Sequence, residues 1–361
     1  MSAFPTRSLP FPKGGALRRL ATGASHLREA FVRAPRGVSA SVPSGVPLPP
    51  PFTPLSRVAV AAPSSAALAR EDAEAGLAAL RQRGLSVEPG RSLAPRLGYL
   101  SGTDQDRAAE MNALFARDDL DAIVCVRGGY GALRILNALD WRALADHPKL
   151  IVGYSDVTAI HLAAWKHARV PGLSAAMLAP DWPTLDPASE QQLWDLAGGA
   201  YPWEVTGPGG EALSAVREGE VEGTLIGGNL SLVAALIGTD FMPHMKGAIM
   251  FVEDVGEAPY RIDGLLARLR LAGVLGEIGG LVFGAFTGAE PAKDRPSLSL
   301  DEVLGHYARE VNGPVARGLV YGHFTRKTPV PVGVTARLRV GAGLDAPVHL
   351  TTLSPLTHLS L

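Results

Sequence analysis

A single cysteine, Cys125, is all the thiol this 361-residue chain has. One thiol excludes an internal disulfide and any zinc site built from several thiolates. An excess of charge is also missing: 34 Lys and Arg stand against 35 Asp and Glu, a formal net charge of −1. That balance gives no general case for nucleic acid or an anionic membrane as a partner. No run approaches the roughly 20 consecutive apolar residues of a membrane span. The first 20 residues also lack the continuous apolar core of a secretory signal. Cytoplasm is therefore the expected location. Phosphate-binding patterns are absent too: no G-x-G-x-x-G follows the first strand and no G-x-x-x-x-G-K-[ST] occurs. Histidines and carboxylates nowhere cluster at ligand spacing, so neither a metal nor a cofactor is expected.

What the chain does have is an ordinary soluble composition, 47% hydrophobic and 19% charged, with length enough for two full cores. Residues 1–55 stand apart. They hold 10 of the 29 prolines and seven Lys or Arg against one acid, Glu29. That composition reads as a disordered Pro/Ala/Arg-rich extension, with a targeting or nucleic-acid-binding arm as the sharper alternative. From 56 to 175, strand and helix patterns alternate. Strands are expected at 58–62, 85–87, 121–126 and 150–152, and helices on Ala73, Leu77 and Leu80, over 104–117, and on Leu133, Leu136 and Leu139. Such alternation implies a parallel sheet covered on both faces. Residues 176–222, punctuated by proline and glycine around one helix near 188–198, read as the passage between domains. The second domain, 223–361, opens on Gly227-Gly228-Asn229-Leu230 and contains a buried strand, Ala248–Val252, ending in Glu253-Asp254.

The stretch Leu150–Thr158 carries the clearest chemistry. An apolar strand ends in Gly153-Tyr154-Ser155-Asp156, and a helical pattern begins at once. A serine at such a corner is where α/β hydrolases place a nucleophile, lifted clear of the sheet beside a free backbone N–H. The match to G-x-S-x-G is partial, because Val157 stands at the second glycine. A serine nucleophile needs a base and an acid to orient it. Of nine histidines, His323 sits in a loop between an apolar run and a strand start, where catalytic groups are usually mounted. A capping histidine fits that position equally well. Glu253 is the leading acid at a strand end, with Asp254 and Glu257 as rivals. Gly128-Gly129, directly after a strand, can turn bare N–H groups toward an oxyanion.

Taken together, these stretches resemble the LD-carboxypeptidase family of serine peptidases, which includes muramoyltetrapeptide carboxypeptidases and microcin self-immunity peptidases. The resemblance runs from about residue 57 to the C-terminus. It rests on Val60-Ala61-Ala62-Pro63-Ser64-Ser65, Tyr99–Asp104, Arg127-Gly128-Gly129-Tyr130-Gly131, Gly153–Thr158 and Phe251–Glu257, followed by the Gly322-His323 loop. It implies an α/β fold: a Rossmann-like N-terminal domain bearing the nucleophile and a smaller β-rich, swivelling-type C-terminal domain bearing acid and base. Carried over residue by residue, it implies a triad of Ser155, Glu253 and His323, with oxyanion donors at the backbone N–H of Gly129 and Asp156. The implied substrate is a murein tetrapeptide losing its terminal D-alanine in cell-wall recycling, without a metal. Its free carboxylate calls for a clamp, for which Arg127, Gly228 and Asn229 are the candidates. Family members are commonly dimers, which makes a homodimer one expectation. Two alternatives stand beside this reading: a peptidase acting on a peptidyl-nucleotide antibiotic, and a non-catalytic two-domain peptide binder whose serine caps a helix. A glutamine-amidotransferase-like reading fails on its nucleophile, since Cys125 falls inside a strand.

Overall fold

Two β-sheets organise the computed structural model, which describes residues 45–93, 96–291, 296–343 and 346–358. The first half alternates as its apolar periods require: β1 (Arg57–Ala61), α1 (Arg70–Gln82), β2 (Ser86–Pro89), α2 (Asp104–Phe115), β3 (Ala122–Cys125), α3 (Ala132–Ile135), α4 (Trp141–Asp146), β4 (Leu150–Val152), α5 (Thr158–Ala168) and β5 (Gly172–Ser174). Every residue of β3, β4 and β5 is buried, as befits strands covered on both faces. Helix α1 turns Ala73, Leu77 and Leu80 inward. These five strands run parallel in the order β2-β1-β3-β4-β5. The order reverses between β1 and β3, and in such sheets ligands bind in the crevice beyond the strand ends at that reversal.

The second half holds α6 (Pro187–Ala197), β6 (Trp203–Glu204), β7 (Ser214–Arg217), β8 (Gly219–Asn229), α7 (Leu230–Ala235), β9 (Ile249–Val255), α8 (Pro259–Leu271), α9 (Val274–Glu277), β10 (Gly280–Thr287), α10 (Leu300–Ala308), β11 (Val315–Arg317), β12 (Val330–Val332), β13 (Thr335–Val340) and β14 (Val348–Thr352). Its sheet has eight strands in the order β6-β14-β13-β8-β9-β10-β11-β7. Strand β8 serves two neighbours: residues 219–224 pair antiparallel with β13, and 225–229 pair parallel with β9.

Residues 176–222, read as the passage between domains, carry α6, β6, β7 and the first residues of β8, and the second sheet has eight strands against six in the first. Three expectations need correcting. The first sheet is not purely parallel: β12 returns from the far end of the chain and pairs antiparallel with β5. The helix expected on Leu133, Leu136 and Leu139 stops after four residues and a 3-10 turn, since Asp140 already caps α4 by accepting from the Ala143 N–H. The N-terminal extension does not reach 55. Phe52 is fully buried 5.1 Å from the Trp194 ring, and its N–H donates to the Ala197 carbonyl. The rest of that extension, residues 1–44, lies outside the described residues.

Candidate active site

Strand β4 ends at Val152, and three residues later Ser155 takes φ of 63°, one of two non-glycine residues with positive φ among those described. Such a conformation costs about 1–3 kcal/mol and persists only where the surroundings impose it. Here a 3-10 turn over Ser155–Val157 runs straight into α5. The partial elbow motif finds its explanation in the packing. A Cβ on Gly153 would lie 3.2–3.3 Å from the Val157 methyls and 3.0 Å from the Cys125 Cβ. The bare Cα of Gly153 makes room for the Val157 side chain, so no second glycine is needed.

Across from the elbow, His323 Nε2 lies 2.9 Å from Ser155 Oγ, and His323 Nδ1 lies 2.8 Å from Glu253 Oε2. Glu253 is fully buried near the end of β9. The parallel register sets Asn229 at the end of β8 beside it, and the Asn229 amide donates to Glu253 Oε1 at 3.2 Å. Asp254 faces elsewhere: it accepts from the Asn229 amide, the Ser231 N–H and hydroxyl, and the Val255 N–H. Glu257 is half-exposed, 3.6 Å from Arg261. Only Glu253 among the three acids reaches the imidazole.

The glycine turn after β3 completes the wall around Ser155. A Cβ on Gly128 would sit 2.7 Å from Ser155 Cβ and 3.3 Å from the Asp156 nitrogen. The Gly128 carbonyl accepts from the Ser65 N–H at 3.1 Å. In a planar trans peptide this turns the Gly129 N–H the opposite way. Neither the Gly129 nor the Asp156 N–H donates to another described group. The Asp156 side chain is buried and accepts from the Ala132 N–H at 2.8 Å, tying the elbow to the glycine turn. Burial pushes its carboxyl above the usual range, against the pull of Arg107.

The three clamp candidates divide. Arg127 is half-buried beside Gly129, whose added Cβ would lie 3.8 Å from the guanidinium carbon. Among the described residues it has no ion pair or hydrogen-bond partner. Asn229 is brought to the site, but both amide hydrogens are committed to Glu253 and Asp254, so it is no carboxylate clamp. Gly228 is buried at φ of 136°, and a Cβ there would meet Thr158 Oγ1 at 2.4 Å. Its missing side chain permits close approach of helix α5 to β8. Beside it, the Asn229 N–H donates to Thr158 Oγ1 at 3.0 Å, which fastens the serine's helix to β8.

Sequence reasoning missed Lys327 and Asp181. Their carboxylate–ammonium pair, 2.8 Å apart and almost wholly buried, lies behind Tyr154. Thr325-Arg326-Lys327-Thr328 reads as a solvated turn, and no local pattern marks a buried lysine there. Among the described residues, no three His, Cys, Asp or Glu gather as a metal site, and no helix is long and apolar enough to cross a membrane.

Residues 58–175 match the LD-carboxypeptidase N-terminal domain, and residues 222–338 match the LD-carboxypeptidase C-terminal domain. The chain is 34% identical over 264 residues to the probable murein peptide carboxypeptidase of Bacillus subtilis (strain 168), covering 72% of this chain and 81% of that one. Muramoyltetrapeptide carboxypeptidase from Oxalobacter formigenes superposes with a TM-score of 0.74 at 28% identity, covering 85% of this chain and all of that one. The fold is also that of MccF in complex with glutamyl sulfamoyl guanosine, with a TM-score of 0.76 at 22% identity over 86% of this chain and 100% of that one. Two matched domains, a two-sheet fold shared over the full length of solved relatives, and more than one-third identity to a murein peptide carboxypeptidase agree: the chain belongs to the LD-carboxypeptidase family.

Proposed function

We propose that this chain is a serine-type LD-carboxypeptidase that removes the terminal D-alanine from murein tetrapeptides, with Ser155 as nucleophile, His323 as base and Glu253 as its orienting acid. The observation that carries this reading is the hydrogen-bond chain from Ser155 Oγ through His323 to the buried Glu253. His323 Nε2 takes the Ser155 proton as Oγ attacks the amide carbon, while Glu253 keeps Nδ1 protonated and steadies the imidazolium. The Gly129 and Asp156 N–H groups receive the oxyanion, where losing one such donor typically costs about 10²–10³-fold in kcat. The imidazolium then protonates the departing D-alanine amine, and water, activated by the same base, releases the acyl group. Arg127 supplies the cation for the substrate's free carboxylate, having no other partner among the described residues. No metal enters this mechanism, so activity survives a chelator. A cytoplasmic location and a homodimer belong to the same reading, checked by cell fractionation and by light scattering.

The test is incubation with disaccharide tetrapeptide and measurement of released D-alanine. The expected outcome is release by the native chain and a loss of at least about 10⁴-fold in Ser155→Ala, as for other triad nucleophiles. An acyl-sulfamoyl adenylate cleaved without any D-alanine release would move the protein to the microcin self-immunity reading, which the likeness to MccF keeps open. Failure of a fluorophosphonate to label Ser155, with no hydrolysis of either substrate, would leave the non-catalytic peptide binder.

A further inference from the structure

Lys327 follows His323 by four residues and is 2% exposed. Its ammonium donates to Asp181 Oδ1 at 2.8 Å and sits 3.7 Å from the centroid of the Tyr154 ring. Its backbone N–H donates to Ser189 Oγ at 3.0 Å, at the start of α6. Asp181 is itself fixed, accepting from the Met177 N–H at 2.8 Å through its other oxygen. Tyr154 directly precedes Ser155, and its ring meets the His323 imidazole edge-on at 5.1 Å. One buried cation thus grips the loop that carries His323 and the residue before Ser155.

We propose that Lys327 is the positioning residue that sets the His323–Ser155 distance, holding the His323 loop through Asp181 and the serine elbow through the face of Tyr154. The inference rests on the triad reading above. Its physical motive is the cost of the arrangement. A buried ion pair is commonly no more stabilising than apolar side chains of the same volume, and its best-attested use is to fix register. Stacking on Tyr154 adds a directional contact, because a cation is attracted to the ring face and not to its edge. Burial pushes the Lys327 ammonium down, while Asp181 and Glu253 hold it up.

The charges around His323 give a readout that simple loss of packing would not move. Glu253 faces its Nδ1 from β9, with Asp254 beyond, braced by the same Asn229. Tyr154 meets it edge-on from the elbow, with the Lys327 ammonium over that ring and Asp181 paired to it. The buried Tyr321 hydroxyl pairs with Ser174, Asp156 and Arg107 lie beyond Ser155, and Arg127 stands by the glycine turn.

The experiment measures kcat, KM and the pH profile of D-alanine release in three folded variants. Lys327→Met is expected to lower kcat by about 10–100-fold with KM within about threefold, since misplacement near the chemistry costs rate before binding. It also removes a cation, easing protonation of the base, so the acid limb of kcat/KM moves to higher pH. Asp181→Asn leaves Lys327 uncompensated, so the acid limb moves to lower pH. Lys327→Met with Asp181→Asn restores the charge balance and returns the limb toward native while kcat stays low; this variant also stands in if the lone carboxylate prevents folding of the first. Native kcat in Lys327→Met, or limbs that shift the same way in both single variants, overturns the proposal. Activity retained in Ser155→Ala would instead overturn the triad reading, so the two failures are distinct.

Discussion

At Ser155 the backbone occupies a region where a side chain is a liability. Ser155→Gly should therefore be inactive yet more stable than the native chain by about 1 kcal/mol, which at this size is about 1–2 °C in Tm. Ser155→Ala should be equally inactive with no such gain, since alanine keeps the Cβ. Thermal melts of the three proteins decide this; a glycine variant no more stable than the alanine one would mean that the turn is not strained. Ser155 was legible in the sequence because its signal is local: strand, tight turn and helix lie within nine residues. Lys327 was not, because its carboxylate partner lies 146 residues away and nothing near it advertises burial.

Between β8 and β9 the register does chemical work. It sets Asn229 opposite Glu253, and the same asparagine accepts from the Leu232 N–H to cap α7. Asn229→Ala should lose about 1–2 kcal/mol of stability through the cap and one hydrogen bond lost at each of the two carboxylates. It should also lower kcat by about tenfold or more while KM changes little, because Glu253 loses one of its two braces; steady-state kinetics beside a melting curve separates these effects. Glu253 could be read from the sequence as a carboxylate at a strand end, but not as the one of the three acids that reaches the His323 imidazole. Which of two neighbouring carboxylates faces the imidazole depends on how β9 is set against the His323 loop, 70 residues away in sequence. Strand β12 hid for a similar reason. Val330-Pro331-Val332 reads as the beginning of β13, and only the fold shows it at the edge of the first sheet, where a proline lacking its N–H is tolerated.

For the molecule as a whole, acid tolerance has an identifiable contributor. His161 is buried on α5 with Nε2 against the Ile151 carbonyl, and burial pushes its imidazole from the usual 6.5 down to about 4. The folded state therefore holds it neutral, while the unfolded chain takes up a proton below about pH 6.5. Stability from this group is fully present above that pH and is lost as pH falls toward 4, up to about 3 kcal/mol. His161→Leu should flatten the fall in Tm between pH 7 and pH 4.5. An unchanged slope would place the acid sensitivity elsewhere. The two-domain α/β plan was legible at this scale because alternating apolar periods survive without tertiary information. The edge strands β6 and β7 within 176–222 were not legible, because proline and glycine punctuate short edge strands as readily as linkers.

The return of β12 to the first sheet has a consequence for how the protein is made. Synthesis delivers the elbow and its parallel strands before β11 to β14. Until then β5 and β8 each present an unpaired edge, the kind of surface on which nascent chains aggregate. The His323 loop lies between β11 and β12, so β12 and β13 close both edges as the proposed base is delivered. On that mechanism a chain stalled before the His323 loop carries the proposed nucleophile without its proposed base, and the site is complete only once both edges are closed.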